Sequence, residues 1–285
     1  MTRKDIFEIL SSKYDIKAEF HKITELFELP MLFYTNPSNF QQTQGTIEQM
    51  VDSYAFANWK QRGSCLSCSE MRDKLFYSVV NVNTTDEMII ILEYYLNILN
   101  LLTQRLGVGQ KNFNFQYYKE YPMLLSNIDL LLEHLNYEKR LFPEEEKVIL
   151  IPKNPAATSV AEISSTQTAF AILKYHHASL KGKLEEKKDI LRRIAQEYEP
   201  LLDKGVNGFS DYFVKANNML NNLNIRHNNK VGNKRNECVI ALNNDELEKW
   251  YDELYQLLLF CVLIKDNVKR KKEIEEFLKI LNKKD

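Results

Sequence analysis

At 285 residues the chain is long enough for one large domain or two modest ones. With 44% hydrophobic and 27% charged residues it has the balance of a folded globular protein, which excludes a disordered chain, and its net charge of -1 leaves any nucleic-acid or membrane partner to be argued from local patches. Eight glycines and seven prolines are too few to punctuate many short strands, so the composition argues against an all-β fold and for an all-α, multi-helix bundle.

The first helix is expected over residues 3–27, where Ile6, Ile9, Leu10, Tyr14, Ile16, Phe20, Ile23 and Phe27 recur at helical spacing before Pro30. Residues 34–45 are polar, carry Asn36-Pro37-Ser38-Asn39, and read as a loop. An apolar stripe from Ile47 through Met50, Val51, Tyr54 and Ala55 to Trp59 then stops at Arg62-Gly63. Ser67 with Glu70 has the spacing of a capping box, in which the hydroxyl accepts from the third amide and the carboxylate reaches back; a short helix therefore starts at Cys68. Thr84 with Glu87 repeats the device before a long helix over 86–106. That helix is apolar almost all round, the mark of a central buried element, yet Glu93, Asn97 and Asn100 interrupt it too often for a membrane span.

A further helix is expected over 122–140. Pro143 followed by Glu144, Glu145 and Glu146 suits a helix start, Val148-Ile149-Leu150-Ile151 suits a short strand, and Pro152-Lys153-Asn154-Pro155 has to be irregular. These features place a domain boundary here: an N-terminal helical region over 1–141, a linker over 142–158 and a C-terminal helical domain over 159–285. In the latter, helix is expected over 159–198 with a bend at Gly182, a connector over 200–208, helix over 209–223, an Asn-rich polar stretch over 224–236, and a long final helix capped by Asn243 with Glu246 and ending near Leu281.

Most familiar chemistries have no signature here. There is no GxxxxGK[ST] loop, Gly107-Val108-Gly109 lacks the third glycine of a dinucleotide fingerprint, and neither GxSxG nor HExxH occurs. Cys65 and Cys68 have the spacing of half a zinc site or of a redox pair, but no second pair follows; with Cys238 and Cys261 isolated, no metal and no cofactor are expected. The opening residues lack the apolar core of a signal peptide, so a cytoplasmic protein with reduced thiols is expected.

The segment that suggests chemistry is Asn221-Asn222-Leu223-Asn224-Ile225-Arg226-His227-Asn228-Asn229-Lys230. From Arg226 to Asn236 the chain carries Arg226, Lys230, Lys234 and Arg235 and no acid. Arginine grips phosphate oxygens through its planar fork, histidine moves protons near neutral pH, and the amides of Asn222, Asn228 and Asn229 can bond ribose or phosphate. These are parts of a metal-free RNA-cleaving site, with Arg226 and His227 catalytic. The same residues also suit a helix end, where asparagine caps and basic side chains complement the carbonyl dipoles. Upstream, Tyr175-His176-His177-Ala178-Ser179-Leu180-Lys181 offers two histidines and a lysine; adjacent histidines on a helix point about 100° apart, so only one can face a given site.

With its polar Asn/Arg/His loop between two helices, the second half resembles the HEPN-type helical domains of bacterial abortive-infection and toxin proteins. The resemblance implies a metal-independent endoribonuclease, a site shared by two protomers of a homodimer, RNA as substrate, a protein regulator, and a role in phage defence or as a toxin. The usual motif of that family spaces its Arg and His by several residues, whereas here they are adjacent and no histidine follows His227. Either the pair is used differently, with His176 or His177 and Lys181 completing the site, or the domain is a non-catalytic relative that serves as a helical interaction module.

Overall fold

The computed structural model describes residues 13–36, 41–76, 82–106, 120–226 and 241–282. The architecture is an all-α, multi-helix fold carrying two small antiparallel hairpins, and it divides into two compact units, residues 1–152 and 153–285. The division falls inside the segment 142–158 expected as a linker. That segment is structured: it supplies a strand to the first unit and the opening of a helix to the second.

In the first unit, helix α1 (Ile16–Glu28) is capped by Asp15, whose carboxylate accepts from the amides of Lys17 and Ala18, while residues 3–12 of the helix expected over 3–27 lie outside the described residues. Strands β1 (Met31–Asn36) and β2 (Gln41–Gly45) then pair as a hairpin where polar composition alone suggested a loop. Helix α2 (Ile47–Tyr54) is closed at its start by a full Thr46–Gln49 capping box, and two short 3₁₀ turns carry the chain past Trp59. Helix α3 (Cys68–Leu75) starts where expected: Ser67 accepts from the Glu70 amide, while the Glu70 carboxylate accepts from the amide of Leu66.

Helix α4 (Thr85–Leu106) is the hub of this unit. Ile89, Ile91, Leu92, Tyr95, Ile98, Leu99, Leu101 and Leu102 are buried, and α2, α3 and strand β4 pack around it. Helix α5 (Glu120–His134) stops six residues short of the expected 140, because Asn136 adopts a left-handed conformation and redirects the chain into β3 (Tyr137–Phe142). β3 pairs with β4 (Lys147–Pro152), and the expected helix start at Pro143 is a single 3₁₀ turn ended by a left-handed Glu146.

The second unit corrects one long expectation. The continuous helix over 159–198 is three helices: α6 (Pro155–Glu162), α7 (Thr166–Lys174) and α8 (Leu184–Glu197), with a 3₁₀ turn at Ala178–Leu180 and a positive φ at Gly182 turning the chain into α8. The expected connector over 200–208 begins as a short helix, α9 (Glu199–Lys204). Helix α10 (Ser210–Asn222) and the 38-residue α11 (Asn244–Leu281) complete the unit. Helices α6, α8 and α10 pack on α11, burying Tyr251, Leu254, Tyr255, Leu258, Leu259 and Val262 from it. Among the described residues no helix is long and apolar enough to cross a membrane.

Candidate functional site

Helix α10 ends in a Schellman motif. Asn224 is left-handed, its amide donates to the carbonyl of Asn221 at 3.3 Å, and the Ile225 amide reaches back five residues to the carbonyl of Leu220 at 3.0 Å. Ile225 and Leu220 are both fully buried, which supplies the hydrophobic contact that accompanies this ending. The motif fixes where the basic segment begins. Arg192 of α8 donates its Nε–H to the carbonyl of Ile225 at 3.0 Å and pairs with Asp189, so the chain is pinned immediately before Arg226.

Arg226 is largely enclosed. Its side chain is 15% exposed; among the described residues its nearest acid is Glu199 of α9 at 4.0 Å, and its Nη2 is buried without a hydrogen-bond partner. Asn222 is exposed on the last turn of α10. His227, Asn228, Asn229 and Lys230 lie outside the described residues.

The upstream histidines are engaged separately. His177 is buried and serves as the cap of the 3₁₀ turn: its Nδ1 accepts from the Ser179 amide at 3.1 Å and lies 2.7 Å from the Ser179 hydroxyl. His176 stands edge-on to both rings of a stacked pair, Tyr175 and Tyr255, whose centroids are 4.0 Å apart, and its Nε2 lies 3.5 Å from Gln256. Burial holds the His176 imidazole below its ordinary pKa, against the opposing pull of Asp252 and Glu248. Lys181 is exposed.

Beneath these rings lies a charged group that sequence reasoning missed. Lys187 of α8, with a side chain 5% exposed, donates to Glu248 and Asp252 of α11, each at 2.8 Å, and its ammonium sits 5.0 Å from the centre of the Tyr175 ring. Glu248 also accepts from the Gly182 amide at 3.0 Å. Glu248 and Asp252 are four apart and share a helix face, which the sequence does show; that a lysine sixty residues earlier lands between them requires the tertiary fold.

His176 and Arg226 share no partner among the described residues. Their neighbours on α8, Lys187 and Arg192, are separated by five residues, about 7.5 Å of rise and 140° of rotation, and so stand on different faces of the helix. The fold therefore assigns His176 to the Lys187 group and Arg226 to the end of α10.

In the first unit Cys65 and Cys68 are buried free thiols. Cys68 sits at the start of α3 with its amide donating to Asp52, and its carbonyl accepts from the Tyr94 hydroxyl, itself bonded to Glu48. Among the described residues no cluster of three or more His, Cys, Asp or Glu side chains is placed to hold a metal ion. In comparisons with known proteins, no family model, curated protein or solved structure matches the chain.

Proposed function

We propose that the C-terminal unit binds RNA through the segment that opens at Arg226 and cleaves it without a metal, as a HEPN-like endoribonuclease. One observation supports this reading: the guanidinium of Arg226, where the basic, acid-free segment begins, has a buried Nη2 donor with no acceptor and no acid closer than 4.0 Å among the described residues. A buried donor left unpaired costs about 1–3 kcal/mol. A phosphate oxygen would satisfy it through a charge-assisted bond.

In the proposed reaction Arg226 holds the scissile phosphate and His227 takes the proton of the 2′-hydroxyl. The 2′-oxygen attacks phosphorus, the 5′-oxygen leaves with a proton, and the product is a 2′,3′-cyclic phosphate. One Arg-His pair supplies a single proton-transfer group, so the second comes from another copy of the chain. A cytoplasmic phage-defence or toxin role belongs to the same proposal and rests on the family resemblance. The test is cleavage of a labelled RNA pool in EDTA by the wild type, Arg226→Gln and His227→Ala. Cyclic-phosphate ends that vanish in both variants support the reading, and a folded wild type that cleaves nothing overturns it.

A second reading, a non-catalytic helical interaction module, is favoured by different observations. The Schellman ending accounts for the run from Asn221 to Arg226 without any ligand, and the far half of α11 carries exposed Ile274, Phe277, Leu278 and Leu281.

A further inference from the structure

Helix α11 continues to Leu281, yet its last buried residue is Ile264; the remainder extends about 25 Å at 1.5 Å per residue. At 100° per residue, Phe260, Ile274, Leu278 and Leu281 fall within about 60° of arc, with Phe277 at its margin, and all five are exposed. Near the root of this extension Phe260 lies edge-on to the exposed Tyr212 of α10, at 5.0 Å between ring centres. The helix thus carries one apolar patch at its root and another at its tip. Between them the charges are segregated: Lys269, Arg270, Lys271 and Lys272 are followed directly by Glu273, Glu275 and Glu276.

We infer that a second copy of this chain docks on this extension, the two α11 helices running antiparallel about a two-fold axis. The inference rests on the interaction reading above and is independent of RNA cleavage. In a parallel, in-register pair each basic block would face the other basic block and each acidic block its own kind. Reversing one helix brings each basic block level with the acidic block of the other copy.

The flanks agree with this arrangement. Lys271 and Glu275, 3.8 Å apart within one chain, share one flank of the apolar stripe, and helical spacing puts Arg270 and Glu273 on the other. A two-fold axis across the pair sets each flank against its own equivalent, so Lys271 meets Glu275 of the second copy and Arg270 meets Glu273. The same register lays the tip of each helix along the start of the other's extension, with Leu278 level with residues 265–268, which include exposed Val268, and Leu281 level with residues 262–265. One operation therefore covers the apolar tip of each helix and sets each basic block against an acidic one. The contact is small beside a standard interface, so the dimer forms in the micromolar range or weaker.

Sedimentation equilibrium of the full chain, from about 1 μM to 1 mM around that affinity, tests the inference. The wild type dimerises, and Ile274→Asp with Leu278→Asp weakens the dimer at least tenfold while the far-UV circular dichroism is unchanged. A block-exchanged variant reads the orientation: Lys269→Glu, Arg270→Glu, Lys271→Glu and Lys272→Glu combined with Glu273→Lys, Glu275→Lys and Glu276→Lys. Antiparallel pairing predicts that this variant dimerises with itself and does not mix with the wild type. Mixed dimers formed in preference to either homodimer overturn the orientation, and a dimer indifferent to the two aspartates overturns the surface. A chain that stays monomeric overturns self-pairing, and amide exchange then separates the two ideas. Slow exchange over 266–281 leaves the interaction reading standing with another partner; exchange at the rate of unfolded chain removes that reading as well.

Discussion

Asn97 and Val148 are joined by two hydrogen bonds, the Asn97 amide donating to the Val148 carbonyl at 2.7 Å and its oxygen accepting from the Val148 amide at 2.9 Å. One helical turn earlier on α4, Glu93 accepts from the amide of Leu150 at 2.7 Å. Strand β4 has β3 on one side only, so these two polar side chains of an otherwise apolar helix act as the missing neighbour strand. Asn97→Leu leaves both backbone groups of Val148 buried and unpaired. At about 1–3 kcal/mol for each such group, a loss near 3 kcal/mol is expected, seen as a lower urea midpoint with the slope unchanged.

Lys187 is the cation that bridges Glu248 and Asp252, and its removal leaves this pair of carboxylates facing each other without it. Breaking a buried pair costs about 3–5 kcal/mol; with Asp252 partly exposed, the lower end applies. Lys187→Met is therefore expected to lower the midpoint of thermal unfolding by roughly 10 °C. Calorimetry checks it.

The same group sets an acid limit. Burial alone would raise the Glu248 carboxyl, but the Lys187 ammonium and the Gly182 amide outweigh it and the net shift is downward. A carboxyl whose folded pKa is depressed stabilises the fold above its unfolded value, near 4.3, and that stability is lost as pH falls through the folded value. Glu248→Gln is expected to be less stable than wild type at pH 7 and to lose less between pH 5 and 3. Denaturant titrations at each pH read the difference.

His176 acts in a higher pH window than Glu248. Its folded pKa lies below the ordinary 6.5, so the unfolded chain binds the proton first, and stability present above pH 6.5 declines as pH falls below it. Imidazole NMR is expected to give His176 a midpoint below 6.5, and His176→Gln to flatten the stability profile between about pH 6.5 and 5.

Thiol chemistry should follow enclosure. Burial raises the Cys68 thiol far above its ordinary range, with the Asp52 carboxylate adding to the shift, and burial pushes Cys261 up to about 11. Both are expected to resist iodoacetamide at pH 7.5 in the folded protein and to react in 6 M guanidinium, about as fast as free cysteine. Mass spectrometry of alkylated peptides reads this directly.

Helix starts were legible wherever a side chain writes its own geometry. Thr84 with Glu87 and Asn243 with Glu246 form the expected reciprocal bonds, and α4 and α11 begin beside them. Helix ends written by conformation rather than by composition were not. Asn136 is of a residue type that tolerates the left-handed conformation, but asparagines are frequent in this chain and the apolar spacing of 122–140 continues past it into a strand, which hid the helix end. Residues 34–45 failed similarly, since a polar hairpin lacks the apolar alternation that marks strands. At the candidate site the basic run from Arg226 could be read directly. The partners Glu199 and Arg192, and the burial that leaves Nη2 without an acceptor, come from contacts between helices far apart in sequence.

Strand β4 closes the first unit at Pro152, whereas the second unit has its core on α11. During synthesis the two halves therefore mature on different schedules. The Asn97–Val148 junction can form once β4 has left the ribosome, while α6, α8 and α10 wait for residues 244–264, roughly ten seconds of elongation later. In that interval the apolar faces of Val160, Leu191, Ile194 and Leu220 lack the α11 side chains that complete their core, so the nascent second unit is the stage at which this chain is most exposed to aggregation.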